Sequence, residues 1–193
     1  MITSGTSELL GSAVGYALAG AGMVRPPLLS CSTPCSGWVL AELLDHLSDS
    51  IMVLAEAITV RNVIVVPSCR RPMPDPAVRL RSRAEGLLDA VAASGRSGRR
   101  VAIGGRELSL NVVAAAAAME ITVHGWDIRV ACGSCQPVPP GLAGILLPIA
   151  PLLVTPGTRP GLFGHPVQLP GPACPGDELV AFLGRQPPSP AKP

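Results

Sequence analysis

The sequence predicts an all-α protein, an up-and-down bundle of four main helices followed by a proline-rich extension. Three observations lead to this fold class: apolar residues recur at helical spacing, the connections are short, and proline or glycine stands where helices would begin or end. Of the 193 residues 48% are hydrophobic and only 3% aromatic, so aliphatic side chains must build the core. We expect a helical bundle over residues 1–133 and an extension over 134–193 that packs on it, with its last residues frayed.

The first two predicted helices differ in the strength of their pattern. The first covers roughly residues 7–23, with Ser4 or Thr6 as its cap and Pro26 after its end, but its glycines make it a weak helix former. The second is the clearest element and follows a turn in which Ser36 is the expected N-cap. Its apolar residues lie on one stripe at a period of 3.6. They are Leu40, Leu43, Leu44, Leu47, Ile51, Leu54 and Ile58.

A short extended piece separates the third and fourth predicted helices. A proline-rich connection leads to the third helix, which should begin with Asp75 as N-cap and Pro76 at its first position and end near Ala93. After it, "SGRSGRR" reads as a solvated loop, and "VAIGGREL" predicts the extended piece with a Gly-Gly turn. The fourth helix should cover about 107–131 and end at Gly133.

Prolines dominate the chain beyond the fourth helix, with eleven of them in residues 134–176. Pro139 and Pro140 are placed to open a short fifth helix, which Pro148 and Pro151 would kink or end. The segment "GDELVAFLGR" predicts a last short helix that is stopped by Gly184.

Charge and composition exclude several classes of function. A formal net charge of +2 is too small to indicate nucleic-acid binding. No segment has the form of a secretory signal, because the first basic residue is Arg25, and the apolar stretch 13–24 is too short to span a membrane. We therefore expect a cytoplasmic monomer or homodimer that contacts neither nucleic acid nor membrane. Its six cysteines should be reduced thiols.

Three ionisable residues fall on one side of the fourth helix. On a helical wheel Glu120 and His124 lie roughly 40° apart, and Asp127 lies about 20° from Glu120 on the other side. Apolar residues surround them, so this helix should be packed inside the bundle. A buried carboxylate without a partner is costly, so Glu120 must be paired, protonated or bound to a metal. Glu and His at i and i+4 can both point at one ion.

His46 is the candidate for a third ligand. On the second helix it lies about 110° from the centre of the leucine stripe, which directs it toward a neighbouring helix. Two histidines and one glutamate would leave coordination positions open, an arrangement that suits a catalytic Zn²⁺ as well as Ni²⁺ or Fe²⁺. From the residues alone two alternatives stay open. One is an intrahelical Glu–His hydrogen bond, and the other is an exposed polar stripe on the bundle surface.

Several stretches together resemble a known family. "TPCSGWVLAELLDHL" (33–47) and "EITVHGWDIRVACG" (120–133) are similar to two signatures of mycothiol-dependent maleylpyruvate isomerase-like proteins, in the DinB/YfiT-like metal-dependent superfamily. The second signature usually ends closer to Ala-Thr-Gly, whereas here it ends in Ala-Cys-Gly. "FGHPVQLP" (163–170) and "DELVAFLGRQP" (177–187) resemble the C-terminal signature of an actinobacterial metal-binding subgroup.

The resemblance implies a DinB-like four-helix bundle that holds a divalent metal. The family's ligands fall on His46, Glu120 and His124, and all three residues match. It further implies mycothiol, the low-molecular-weight thiol of actinobacteria, as cofactor or co-substrate. For the metal, the ligand set itself favours zinc, with nickel or iron as alternatives. A thiol activated at the metal would add to a small electrophilic substrate, for isomerisation or thiol transfer. The alternative is a non-catalytic metal- or ligand-binding protein on the same bundle, so whether the chain is an enzyme stays open.

The remaining polar residues carry weaker expectations. Asp127 either orients a ligand histidine or caps or solubilises its helix. Trp38 and Trp126 are expected to pack rather than to bind substrate, and His165 is expected at the surface. No catalytic residue is assigned. Four arginines are unranked candidates for a donor near the metal: Arg106, Arg129, Arg159 and Arg185.

Overall fold

Helices make up most of the residues that the computed structural model describes, which are 4–60, 62–63, 75–93, 100–103 and 106–188. The four long helices are α1 (Ser4–Ala21), α2 (Leu40–Val60), α3 (Pro76–Ala93) and α4 (Leu110–Ala131). Three short helices follow, α5 (Pro140–Leu146), α6 (Ala150–Leu153) and α7 (Pro175–Phe182). Three strands, β1 (Asn62–Val63), β2 (Arg100–Ile103) and β3 (Arg106–Ser109), form a small sheet in the order β1-β2-β3. None of the described helices combines the length and hydropathy that crossing a bilayer requires.

The four long helices pack as a bundle. α1 packs mainly along α4 and α2 along α3, while contacts of α2 with α4 and of α1 with α3 close the ring. α1 and α2 therefore lie diagonally across the bundle from each other. The predicted all-α, DinB-like bundle is confirmed.

Burial follows the apolar pattern of the sequence. All seven residues of the α2 stripe are at most 6% exposed. Burying one such side chain contributes about 1.5–3 kcal/mol, so the stripe is a major part of the core. In α4 every residue from Ile121 to Ile128 is buried, so the helix with the three ionisable residues runs through the protein interior.

Local sequence sets several helix ends as predicted. Oδ1 of Asp75 accepts hydrogen bonds from the backbone N–H groups of Ala77 (2.9 Å) and Val78 (3.3 Å), so it caps the N-terminus of α3. Helices α4 and α7 are both followed by a glycine in the left-handed region, Gly133 at φ 87° and Gly184 at φ 84°. Both ends have the Schellman hydrogen-bond pattern, which satisfies the last carbonyls of each helix.

Helix α2 begins later than predicted, at Leu40 instead of directly after Ser36. The residues before it form a turn in which Ser32 pairs with Val39 in an isolated antiparallel bridge. The backbone N–H of Val39 donates to the carboxylate of Glu42 (3.1 Å), as in one half of a capping box. The side chain of Glu42, rather than that of Ser36, therefore satisfies the start of this helix.

Helix α4 also begins later, at Leu110 instead of near Glu107. Residues 106–109 pair antiparallel with 100–103. The residues predicted to form the first turn of the helix therefore belong to a strand. The side chain of Ser109 then caps α4 by accepting a hydrogen bond from the N–H of Val112 (3.3 Å). The Gly-Gly turn, nearly all of the "SGRSGRR" loop, most of the connection before α3 and the expected frayed end lie outside the described residues.

The extension after α4 folds back onto the bundle. α5 contacts both α1 and α7. A Cβ on Gly176, in the first turn of α7, would lie 2.3 Å from the carbonyl oxygen of Val138, so α7 rests directly on the chain before α5. Arg159 Nη1 donates to the carbonyl oxygens of Gly164 (2.7 Å) and Phe182 (3.0 Å). These bonds hold the loop 161–164 against the end of α7.

Two glycines let α1 and α4 approach each other closely. A Cβ on Gly20 would lie 2.9 Å from Cγ of Arg129, and a Cβ on Gly125 would lie 2.9 Å from Cα of Ala17. The first contact is with a flexible side chain, but the second is with backbone, which cannot yield locally. A side chain at position 125 would therefore push the two helices apart.

Gly125→Ala is expected to destabilise the protein by about 1–3 kcal/mol, because its methyl group overpacks the α1–α4 contact. Gly86→Ala is the matched control, since Gly86 lies on the exposed side of α3 with nothing within 4 Å of the added Cβ. That change should stabilise the protein by about 0.5–1 kcal/mol. Urea denaturation measures both. Equal stabilisation by the two substitutions would contradict the close contact.

Candidate metal centre

Two histidines and a glutamate meet where α2 faces α4. His46 lies on α2, and Glu120 and His124 lie one turn apart on α4. One donor atom from each residue lies within 4.8 Å of the other two, and Nε2 of His46 is 3.3 Å from Oε1 of Glu120. Around an ion with bonds of about 2.0–2.2 Å, tetrahedral ligand atoms are about 3–4 Å apart. The His46–Glu120 separation lies in this range, and the three side chains form a group that could hold one metal ion.

The cluster is buried on one side and open on the other. His124 is 7% exposed, whereas the side chains of His46 and Glu120 each keep 38% of their surface exposed. His124 lies within the buried stretch 121–128 of α4, Glu120 lies just before that stretch, and His46 lies on the flank of the leucine stripe of α2. The cluster therefore faces solvent on its His46 and Glu120 side.

Glu120 is held in its ionised form. Burial acts to raise its pKa, but hydrogen bonds with His46 and Ser50 and the charges that His124 and His46 can carry outweigh burial and lower the pKa below its usual value. An ionised carboxylate is the form that binds metal. The ionised state of Glu120 and the spacing of the donor atoms therefore both suit a metal ion.

Asp127 lies fully buried behind His124, at 0% exposure. Its Oδ2 is 3.1 Å from Nδ1 of His124 and also 3.1 Å from Nη2 of Arg185. Its Oδ1 accepts a further hydrogen bond from Nε of Arg185 at 3.4 Å. A residue in this position does not solubilise the helix surface. Because Nδ1 of His124 faces the carboxylate, Nε2 is the ring nitrogen left for other partners.

Arg185 reaches this site from the C-terminal extension. It is 4% exposed, and its Nη1 also donates to the carbonyl oxygen of Leu183 (2.9 Å). The other arginines singled out in the sequence lie elsewhere or are not described: Arg129 lies over an aromatic ring of α1, Arg159 holds the 161–164 loop, and the side chain of Arg106 is outside the description. Sequence reasoning did not rank Arg185 above them.

A cavity of about 500 Å³ adjoins His46 and His124. The Trp38 ring centroid lies 4.4 Å from that of His46 and 6.2 Å from that of His124, so the indole forms a wall beside the cluster. Phe163 and Arg185, both from the extension, line another part of the cavity. Trp38 was expected only to pack. A signal for it was available, because it lies in the same signature stretch as His46.

Cys35 is a further polar residue in the cavity wall. Its Sγ lies within 4.8 Å of donor atoms of His124 and Asp127. Burial raises the pKa of this thiol, Arg185 opposes the rise and Asp127 adds to it, so the neutral thiol is favoured. Asp127 is already engaged by Arg185 and His124, and Cys35, His124 and Asp127 are therefore not a free set of ligands. The third histidine, His165, is exposed on the extension and does not join the cluster.

Comparisons with known proteins identify relatives of this chain. A family model described as the mycothiol maleylpyruvate isomerase N-terminal domain matches residues 16–129. Two uncharacterized proteins of Mycobacterium tuberculosis, from strains CDC 1551 and H37Rv, are each 29% identical to the chain over 165 residues, which is 84% of this chain and 87% of each relative. No solved structure matches the chain significantly. The family match contains the cluster and Asp127 but ends before Arg185.

Proposed function

The chain belongs to the mycothiol maleylpyruvate isomerase N-terminal domain family, and on this premise we propose that it binds a divalent metal ion through His46, Glu120 and His124. The observation that carries the proposal is the convergence of their three donor atoms, within 4.8 Å of one another, beside a cavity. Two imidazoles and a carboxylate are the donor set of many catalytic zinc sites, in which a further position stays open. Zinc is the ion we expect, and nickel and iron suit the same donors.

Asp127 would support this centre from behind. A carboxylate that accepts the Nδ1–H of a ligand histidine fixes the ring and its tautomer and makes Nε2 a better donor. The 3.1 Å distance from Asp127 Oδ2 to His124 Nδ1 is a normal length for such a bond. We therefore assign Asp127 the role of orienting His124 rather than that of a ligand.

The substrate side of the proposal is a low-molecular-weight thiol, of which mycothiol is the family's example, and a small electrophile. When bound, the ion would lower the pKa of such a thiol so that thiolate is present at neutral pH. Trp38 and Phe163 give the cavity apolar walls, and its volume of about 500 Å³ is that of a small-molecule site. Phe163 and Arg185 come from residues beyond 133, so the extension would complete the cavity that the bundle begins. Isomerisation or thiol transfer would take place in this cavity.

Metal content tests the first part of the proposal. Protein reconstituted with Zn²⁺ and freed of excess metal should hold about one ion per chain, because the two candidate groups among the described residues share His124. His46→Ala and Glu120→Gln should each lose most of it. His165→Ala is the matched control, since it removes a histidine outside the cluster and should retain the ion. Elemental analysis measures the zinc content per chain of the wild type and the three variants. A wild type without stoichiometric metal, or equal metal in all four, would overturn the assignment.

Thermal shift tests the thiol part. Mycothiol at a hundred times its Kd should stabilise the zinc-loaded wild type by about 2.7 kcal/mol, because it binds the folded state alone. The same addition should not stabilise His46→Ala. Metal binding without any response to the thiol would refute the thiol proposal and favour the non-catalytic metal-binding protein.

A further inference from the structure

We infer that Arg185 is a positioning residue of the proposed metal centre, one that holds Asp127 and through it fixes the ring of His124. The part that concerns the metal rests on the proposed function. The part that concerns the ring does not, because Arg185 and His124 each contact Asp127 directly.

The contact between Arg185 and Asp127 is a fork of two hydrogen bonds. Nη2 donates to Oδ2 at 3.1 Å and Nε donates to Oδ1 at 3.4 Å, so both carboxylate oxygens are engaged by one planar guanidinium. Such a pair fixes the plane of the carboxylate as well as its position, which a lysine ammonium would not do. With Asp127 at 0% exposure and Arg185 at 4%, water does not compete for these bonds.

The backbone after α7 determines where Arg185 stands. Gly184 ends the helix in the left-handed region, and the N–H of Arg185 donates to the carbonyl oxygen of Val180 (2.9 Å). The guanidinium is then secured by its bond to the carbonyl oxygen of Leu183. These contacts at the helix terminus hold Arg185 independently of Asp127. Arg185 therefore sets the orientation of the Asp127 carboxylate.

The orientation of the carboxylate determines which nitrogen of His124 carries the proton. An ionised carboxylate 3.1 Å from Nδ1 can only accept there, so the neutral ring must hold its proton on Nδ1 and present the lone pair of Nε2. Without Arg185, Asp127 loses the two hydrogen bonds that hold its plane. The carboxylate can then turn away, and the ring is free to populate the other tautomer, whose Nε2 is protonated and cannot bind metal.

Arg159 provides a matched control on the same extension. It holds Gly164 and Phe182 through hydrogen bonds to their carbonyl oxygens, but it makes no described contact with Asp127. Replacing Arg159 by Met therefore loosens the extension without touching the link to His124. A general effect of loosening would appear in both variants, whereas an effect through Asp127 would appear only with Arg185.

The experiment records two-bond proton–nitrogen NMR correlations of ¹⁵N-histidine in the metal-free protein near pH 8.5. The wild type and Arg159→Met should show His124 as the Nδ1–H tautomer, and Arg185→Met should show a mixture. Zinc affinity, measured by chelator competition, should fall by about 10–100-fold in Arg185→Met and stay within a few-fold of wild type in Arg159→Met.

Each outcome has a defined meaning. An Arg185→Met variant with the wild-type tautomer and zinc affinity would overturn the inference, as would equal losses in the two variants. If the wild type binds no zinc, the proposed function fails while the tautomer measurement still decides the role of Arg185. If Arg185→Met does not fold, Arg185→Lys carries the test, because it keeps the charge and lacks the fork. It should then show a tautomer mixture, and the pure wild-type tautomer would overturn the inference.

Discussion

Replacing Asp127 by Leu should destabilise the metal-free protein by about 3–5 kcal/mol, because the guanidinium of Arg185 is then left buried without its charged partner. Arg185 is 4% exposed and gives two hydrogen bonds to Asp127, so no solvent is positioned to replace the carboxylate. Urea denaturation of protein stripped of metal by a chelator measures the change without any contribution from a bound ion.

A second substitution shows whether the unpaired buried charge of Arg185 causes the loss of stability. The double variant Asp127→Leu with Arg185→Met should regain most of the lost stability, since replacing both members of a buried ion pair with apolar residues is often neutral or stabilising. Glu107→Ala is the control, because it breaks an exposed pair with Arg100 at 3.4 Å whose side chains are 69% and 71% exposed. That pair should contribute about 0–1 kcal/mol. Equal losses at positions 107 and 127 would contradict the buried pair.

Gly184→Ala should destabilise the protein by about 2–5 kcal/mol, the sum of a backbone and a packing effect. At φ 84° a Cβ costs about 1–2 kcal/mol in the left-handed region. The same Cβ would lie 2.6 Å from backbone atoms of Gly164, and relieving that overlap should cost about 1–3 kcal/mol more. Since Gly164 and Gly184 both line the cavity, the substitution should also disturb its wall.

Gly133→Ala separates these two effects. Gly133 ends α4 in the same way, at φ 87°, but nothing lies within 4 Å of an added Cβ. It should therefore show only the backbone cost. Thermal and urea denaturation of both variants give the difference, which measures the Gly164 contact alone. If the two variants were equally stable, the contact between the 161–164 loop and α7 would be absent in solution.

The helical core was predictable because its information is local. The stripe from Leu40 to Ile58 fixes both a helix and its buried face, and Asp75 before Pro76 specifies a helix start within four residues. The beginnings of α2 and α4 were mispredicted for the opposite reason. A bridge to Ser32 delays α2, and a ladder with residues 100–103 takes the backbone before α4. Pairing between segments that are separate in the sequence produces no periodic pattern from which it could be predicted.

The same division applies to the candidate site. Glu120 and His124 share a face because they are four residues apart, and the wheel places His46 on the flank of its helix. Arg185 lies 58 residues from Asp127, so helical spacing does not relate the two, although Arg185 belongs to a stretch (177–187) that resembles a family signature. Trp38 reaches the cavity through a turn that contains Gly37 at φ 86°, which helical spacing does not describe. The signature stretches mark both residues, but only the tertiary structure shows that their side chains reach the site.

A ribosome synthesises the chain from its N-terminus, so Arg185 emerges only after the four long helices. Helices α1–α4 can assemble as they emerge and bring His46 and Glu120 together while the 161–164 loop and Arg185 are still being translated. Until then the carboxylate of Asp127 has no guanidinium to neutralise it, and part of the cavity wall does not exist. A nascent chain can therefore form the bundle well before it has a finished pocket, and an interruption of translation after α4 would release a protein with the three cluster residues but without their support.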